Sequence, residues 1–246
     1  MLKTLVKKQL MEIFRSYFYD AKKNQKRSTL STALFIVFFV LLMLGMLGGI
    51  FTFLSFTLCG AMTSVGMDWL YFALMGLMAI FLGAFGSVFN TYSSLYIAKD
   101  NDFLLSMPIP VKIIMGSRLM SVYLMGLMYA AVIFVPAMIV YWVVAPVTVS
   151  AVVCSIIALL MISIFVLVLS CALGWLVAKI SLKLKNKSII TVIVSLVLFA
   201  VYYFVCFRAS YMLQAMLAGL GAVGAKVMSA AYPLYMFGRA ASGSWV

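Results

Sequence analysis

Histidine is absent from this chain and acidic residues number only five, so the commonest general base and transition-metal ligand are missing and carboxylate chemistry has few candidates. Neither a catalytic residue nor a metal ligand set is expected. Charged residues of both signs make up only 9% of the sequence, whereas ordinary soluble domains are about a quarter charged. Three long stretches carry no charge at all: from Arg27 to Asp68, from Asp68 to Lys99 and from Arg118 to Lys179. The four cysteines, Cys59, Cys154, Cys171 and Cys206, stand singly with no Cys-x-x-Cys pair, which suggests neither a zinc site nor a redox motif. A Gly-x-x-x-x-Gly-Lys-Ser/Thr phosphate loop is missing too, so this chain is expected to bind no nucleotide cofactor itself.

What is present is apolar surface. Hydrophobic residues make up 67% of the chain and the mean hydropathy is +1.21, more than one soluble core of this length can hide. Lipid is therefore the expected solvent, and the expected fold is an all-α polytopic transmembrane bundle. The net charge of +13 would suit a nucleic-acid binder. The basic residues, however, flank hydrophobic segments and form no folded basic face, so no nucleic-acid partner is expected. The first apolar run is also too long and starts too late for a cleaved signal peptide, and reads as a retained anchor.

Residues 1–27 form a basic N-terminal region. Leu2, Leu5, Val6, Leu10, Ile13, Phe14, Tyr17 and Phe18 recur at helical spacing, with Lys3, Lys7, Lys8, Glu12 and Arg15 on other faces. This pattern predicts an amphipathic helix lying in the lipid headgroup layer, aided by Lys22, Lys23, Lys26 and Arg27. Residues 28–246 read as the membrane domain. A helix needs about 20 residues to cross about 30 Å of hydrocarbon. Five crossings are predicted, at Ser31 to Phe56, Trp69 to Leu95, Leu119 to Val143, Ala151 to Ala178 and Ser188 to Phe207, with Ala145-Pro146 separating the third from the fourth.

Fifteen of the eighteen basic residues fall on one side of this arrangement, and the connections at Gly60 to Asp68 and Val144 to Ser150 carry none. Positive residues accumulate on the cytoplasmic side, so the N-terminus is expected there, in a multi-pass protein of the cell membrane. Beyond Arg208 the glycines Gly219, Gly221, Gly224 and Gly238 and Pro233 interrupt the apolar pattern, and a short external or re-entrant helix is expected within Tyr211 to Met228. Five spans followed by the end of the sequence suggest an N-terminal fragment of a longer protein.

Gly219-x-Gly221-x-x-Gly224 has the letters of a dinucleotide fingerprint but no preceding strand and no following acid, so helix packing or a bend explains it better. Gly45-x-x-x-Gly49 and Ala79-x-x-x-Gly83 are spaced for close helix approach in a bilayer. Near one end of the second span, Ser87, Asn90, Thr91, Tyr92, Ser93 and Ser94 cluster. They read either as hydrogen-bonding glue between helices or as a polar translocation lining. The expected spans contain no ionisable residue, which disfavours proton relays and ion-coupled carriers.

The sharpest local signal is Lys99-Asp100-Asn101-Asp102-Phe103-Leu104-Leu105-Ser106-Met107-Pro108-Ile109-Pro110, in an expected cytoplasmic loop. Asp100, Asn101 or Asp102 would cap a short helix, Phe103 to Met107 would give it an apolar side, and Pro108 and Pro110 would end it. Such a helix is costly in water unless it docks on something.

The stretch KDNDFLLSMPIPVKIIMGSRL, through Leu119, resembles the loop between spans two and three in membrane permease subunits of exporter-type ABC transporters. The matching residues are Asp100, Asp102, Leu104, Leu105, Pro108 and Arg118, and the N-terminal helix looks like that family's connecting helix. The resemblance implies a coupling helix formed by Asp100, Asp102, Phe103, Leu104, Leu105, Met107 and Pro108 that docks on a separate cytoplasmic ATPase subunit, where ATP would bind. It further implies a second permease half or a homodimer, embedded in membrane lipid. Family members have at least six spans, against five expected here. The alternative is a non-transporting scaffold or assembly protein whose loop helix merely lies on the bilayer. The substrate class stays open, since Tyr202, Tyr203 and Phe204 suit an amphiphile and equally suit an ordinary lipid interface.

Overall fold

The computed structural model describes residues 2–13, 19–20, 25–26, 29–96, 106, 109–145, 148–183 and 231–243, with shorter pieces between 196 and 229. Apart from a two-residue antiparallel pairing of Tyr19 with Lys26 and Asp20 with Gln25, its elements are helices, and the fold is the expected all-α bundle. In chain order they are α1 (Leu2–Ile13), α2 (Thr29–Leu42), α3 (Gly48–Thr63), α4 (Asp68–Thr91), α5 (Val111–Val144), α6 (Val149–Lys183) and α7 (Tyr232–Ser242). A π-helical turn at Met43–Leu47 joins α2 to α3 without a break, and a second, Tyr92–Tyr96, extends α4.

Four helical segments are long and apolar enough to cross a membrane: Gly45–Thr63, Asp68–Tyr96, Val111–Val144 and Val149–Ile180. They correspond to the first four expected spans, with shifted ends. The first helix continues past Phe56 to Thr63, leaving a connection of only four residues, closed by Gly66 at φ +70°. Only glycine adopts that backbone cheaply. The third begins at Val111, two turns before the expected Leu119, with Pro110 at its N-cap accepting from the Ile113 amide at 2.9 Å. Proline suits this position, because the first amides of a helix have no helical acceptor in any case. The fifth expected span lies largely outside the described residues. Its described positions Leu196, Phe199 and Phe204 are helical and exposed.

Helix α4 is the hub, packing on α3, α5, α6 and α7. Lipid tails are as apolar as leucine, so helices associate in a bilayer through close contact, which small residues permit. Val166 of α6 supplies the central contact. Cβ atoms added at Gly83 of α4 and Gly126 of α5 would lie 2.8 and 3.0 Å from its methyl groups. The Ala79-x-x-x-Gly83 pair thus serves the close approach expected of it, in a buried position. Its counterpart does not. Cβ atoms added at Gly45 and Gly49 meet nothing within 4 Å, so no described helix approaches closely there.

Toward the α7 end the core is aromatic. Tyr71, Phe72, Phe134 and Tyr141 are buried together, with Phe72 and Tyr141 edge to face at a centroid distance of 4.7 Å. Tyr71 resolves its buried hydroxyl by donating to the Ala137 carbonyl of α5 at 2.8 Å.

Candidate functional site at the two ends of the bundle

Helix α5 is 34 residues long, or about 50 Å at 1.5 Å per residue, against about 30 Å of hydrocarbon. Its first turns lie against α1. Leu5 of α1 is buried against Ile109, Ile113 and Ile114, and Gln9, 6% exposed, accepts a hydrogen bond from the Ser121 hydroxyl at 3.0 Å. A buried amide and hydroxyl that satisfy one another fix the helix in register. The apolar side of α1 at Leu5 is therefore spent on α5, where sequence reasoning placed it in the headgroups; Met11 stays exposed.

Arg118 is 2% exposed at this same end and engaged within the protein. The sequence reading treats it as a boundary charge outside the third span; the structure puts it two turns inside the helix that forms that span. Burying a guanidinium is costly unless it is partnered, so this position is a fixed part of the α1 end.

Between Tyr96, where the extended α4 stops, and Val111, where α5 starts, lies the loop that resembles a coupling helix. Asp100, Asp102, Phe103, Leu104, Leu105, Met107 and Pro108 are outside the described residues, and Ser106 is an exposed turn. What the structure fixes is the frame of that loop. Its flanks are two long helices, and α1 is docked beside its exit at Ile109.

Three hydroxyls of the polar cluster in the second span bond within their own helix. Ser87 donates to the Gly83 carbonyl at 2.7 Å and Thr91 to the Ser87 carbonyl at 2.9 Å, both within α4. Ser93 likewise donates to Asn90 at 3.0 Å. These hydroxyls give their one proton to their own helix and so donate to no other. Interhelical polar contacts are made elsewhere, by Ser163 of α6 with Tyr123 of α5 at 2.9 Å and by Tyr96 with the Cys171 carbonyl at 3.0 Å.

At the opposite end, the Tyr141 hydroxyl donates to Asp68 Oδ2 at 3.2 Å, tying the start of α4 to the end of α5. Asp68 Oδ1 is buried without a hydrogen-bond partner among the described residues. An acid in the first turn of a helix complements its positive end, which accounts for an acid at this position. Helix α7 closes this end. Trp69 meets Tyr235 edge to face at 4.8 Å, and Gly238 passes so close to Trp69 that a Cβ there would collide with the Trp69 carbonyl oxygen. The helix stops at Gly243, φ +75°, beside Ala151 of α6. The short helix expected within Tyr211 to Met228 lies mostly outside the described residues. Gly224 of the glycine triplet is helical and packs on Met67, as a packing glycine would.

Among the described residues no three His, Cys, Asp or Glu side chains converge on one point. The fold and the four membrane-length helices define a multi-pass helical membrane protein. Searches for similar proteins found no matching family model, no matching curated protein and no matching solved structure.

Proposed function

We propose that this chain is the transmembrane permease subunit of an ATP-driven exporter of the ABC type, carrying out no catalysis itself and working with a separate cytoplasmic ATPase subunit and a second permease half. The N-terminus and the α1 end face the cytoplasm of the cell membrane, in line with the distribution of basic residues. ATP binds the partner subunit, and closure of the ATPase pair moves the loop from Asp100 to Pro108. Phe103, Leu104 and Leu105 form its docking face, with Asp100 and Asp102 capping it or pairing with basic groups on the ATPase.

The observation that supports this reading is mechanical. In sequence the segment from Asp100 to Pro108 lies between two long helices, and α1 is docked on the first turns of the second, through Leu5 against Ile114 and Gln9 against Ser121. Displacement applied there passes along α4, and along α5 as far as Pro136, because packed cores shift between discrete arrangements and resist continuous deformation.

The test is co-purification. The chain carrying a C-terminal tag is expected to bring down an ATPase in fixed stoichiometry, and Leu104→Asp with Leu105→Asp is expected to lose it while the protein still inserts in the membrane. If no ATPase accompanies the wild-type chain, a non-transporting scaffold is the better reading.

A further inference from the structure

Helices α3 and α5 form between them a groove of about 770 Å³. This lies within the range of about 300–1,000 Å³ typical of ligand pockets. On one wall Gly48 and Gly49 leave open space where side chains would stand, and the π-helical turn at Met43–Leu47 immediately precedes them. On the other wall are Val135 and Pro136. We propose that this groove binds one acyl chain of a bilayer lipid, and the proposal is independent of the exporter reading.

Depth identifies the solvent. The α3 wall falls within the crossing segment Gly45–Thr63, and the α5 wall falls within the charge-free part of Val111–Val144. Hydrocarbon is what meets a groove at that level. Its chemistry agrees, because no charged side chain lines it and its one hydroxyl, on Thr52, already donates to the Gly48 carbonyl at 2.7 Å. A charged or strongly hydrogen-bonding ligand would be left unpaired there.

Length and shape favour a single chain over a second helix. The wall from Gly48 to Phe56 extends about 12 Å and the wall from Met128 to Ile139 about 16 Å, at 1.5 Å per residue. That is close to half of the roughly 30 Å core, the depth reached by a tail from one leaflet. Helices in a bilayer meet through small residues. Phe53, 77% exposed, and Phe56, 49% exposed, stand beside the glycines and would hold a second backbone away, while a flexible chain threads past them.

The test uses the full chain in phosphatidylcholine vesicles containing a phosphatidylcholine with a photoactivatable diazirine in one tail, with labelled residues mapped by mass spectrometry. Labelling of Phe53 and Val135 is expected at several times the level on Ile156 and Phe165, which are exposed on α6. Gly49→Leu, which fills the groove, is expected to lower the Phe53 and Val135 signals several-fold and leave the α6 signals unchanged. Equal labelling of groove and α6 in the wild-type chain would mean ordinary boundary lipid and overturn the proposal. So would groove residues that resist labelling while Gly49→Cys forms a disulfide between copies, which would assign the groove to a second copy. The wild-type ratio decides even if Gly49→Leu fails to fold, and Val135→Trp fills the same space from the other wall.

Discussion

Glycines on α3 and on α4 sit at the same motif spacing yet do opposite things. Gly83 of α4 admits Val166 so closely that an added Cβ would lie 2.8 Å from its methyl, whereas Gly45, Gly48 and Gly49 face open space. A small-residue pair permits close approach, and whether a neighbour takes it up depends on what else lines the surface. Around Gly83 the facing surfaces are valine and glycine; beside Gly49 stand exposed phenylalanines. One face of the bundle is thus closed by backbone proximity, and the other is open at the same depth.

The largest break in that contrast is expected at α7. Gly238→Val drives a side chain into the Trp69 backbone carbonyl, which has no rotamer to yield, and should cost about 3 kcal/mol, the upper end for overpacking. Limited proteolysis should then cut at α7 first; unchanged protection of Tyr235 would refute the close docking. Gly83→Leu comes next, at about 2 kcal/mol, since Val166 has some freedom to move. Titration of the purified protein with a denaturing detergent would measure it, and a midpoint equal to wild type would remove Val166 from the junction. Tyr141→Phe leaves Asp68 without its donor and should cost about 1.5 kcal/mol in the same titration. Gln9→Leu should cost about 1 kcal/mol and speed amide exchange in α1 while leaving α6 unaffected. The smallest effect, within about 0.5 kcal/mol, is expected for Gly49→Leu, because nothing lies within 4 Å of the Cβ it adds and the rest of the side chain enters an open groove. If Gly49→Leu destabilised as much as Gly83→Leu, the distinction between the two faces would fail.

The four crossings were legible because their central stretches carry no charge, and charge exclusion is a property of the solvent that single residues report directly. Their ends were less legible. Lys112 and Arg118 read as a boundary, yet α5 runs through both, because Arg118 is buried against neighbours that sequence spacing does not reveal. The helical periodicity of α1 was visible, but periodicity gives an apolar face without naming what covers it; here Leu5 faces isoleucines of α5. Helix α7 was missed because its composition is moderate and its docking depends on Gly238, a residue that also reads as a helix breaker. The polar cluster near Ser87 was visible as composition only, since the choice between bonding its own helix and bonding another depends on side-chain geometry. The residues resembling a coupling helix, Asp100 to Pro108, rest on the sequence alone.

Pro136 gives α5 a pivot. Proline supplies no amide to the carbonyl four residues earlier, so the rod yields more readily there than elsewhere along its length. From Pro136 to Val111 is about 37 Å, so a tilt of about 10° at the pivot sweeps the far tip through roughly 6 Å. The shorter arm, from Pro136 to Val144, is about 12 Å and is tied to the start of α4 by Tyr141 at Asp68. A yielding joint between the two lets the long arm swing while the short one keeps its place.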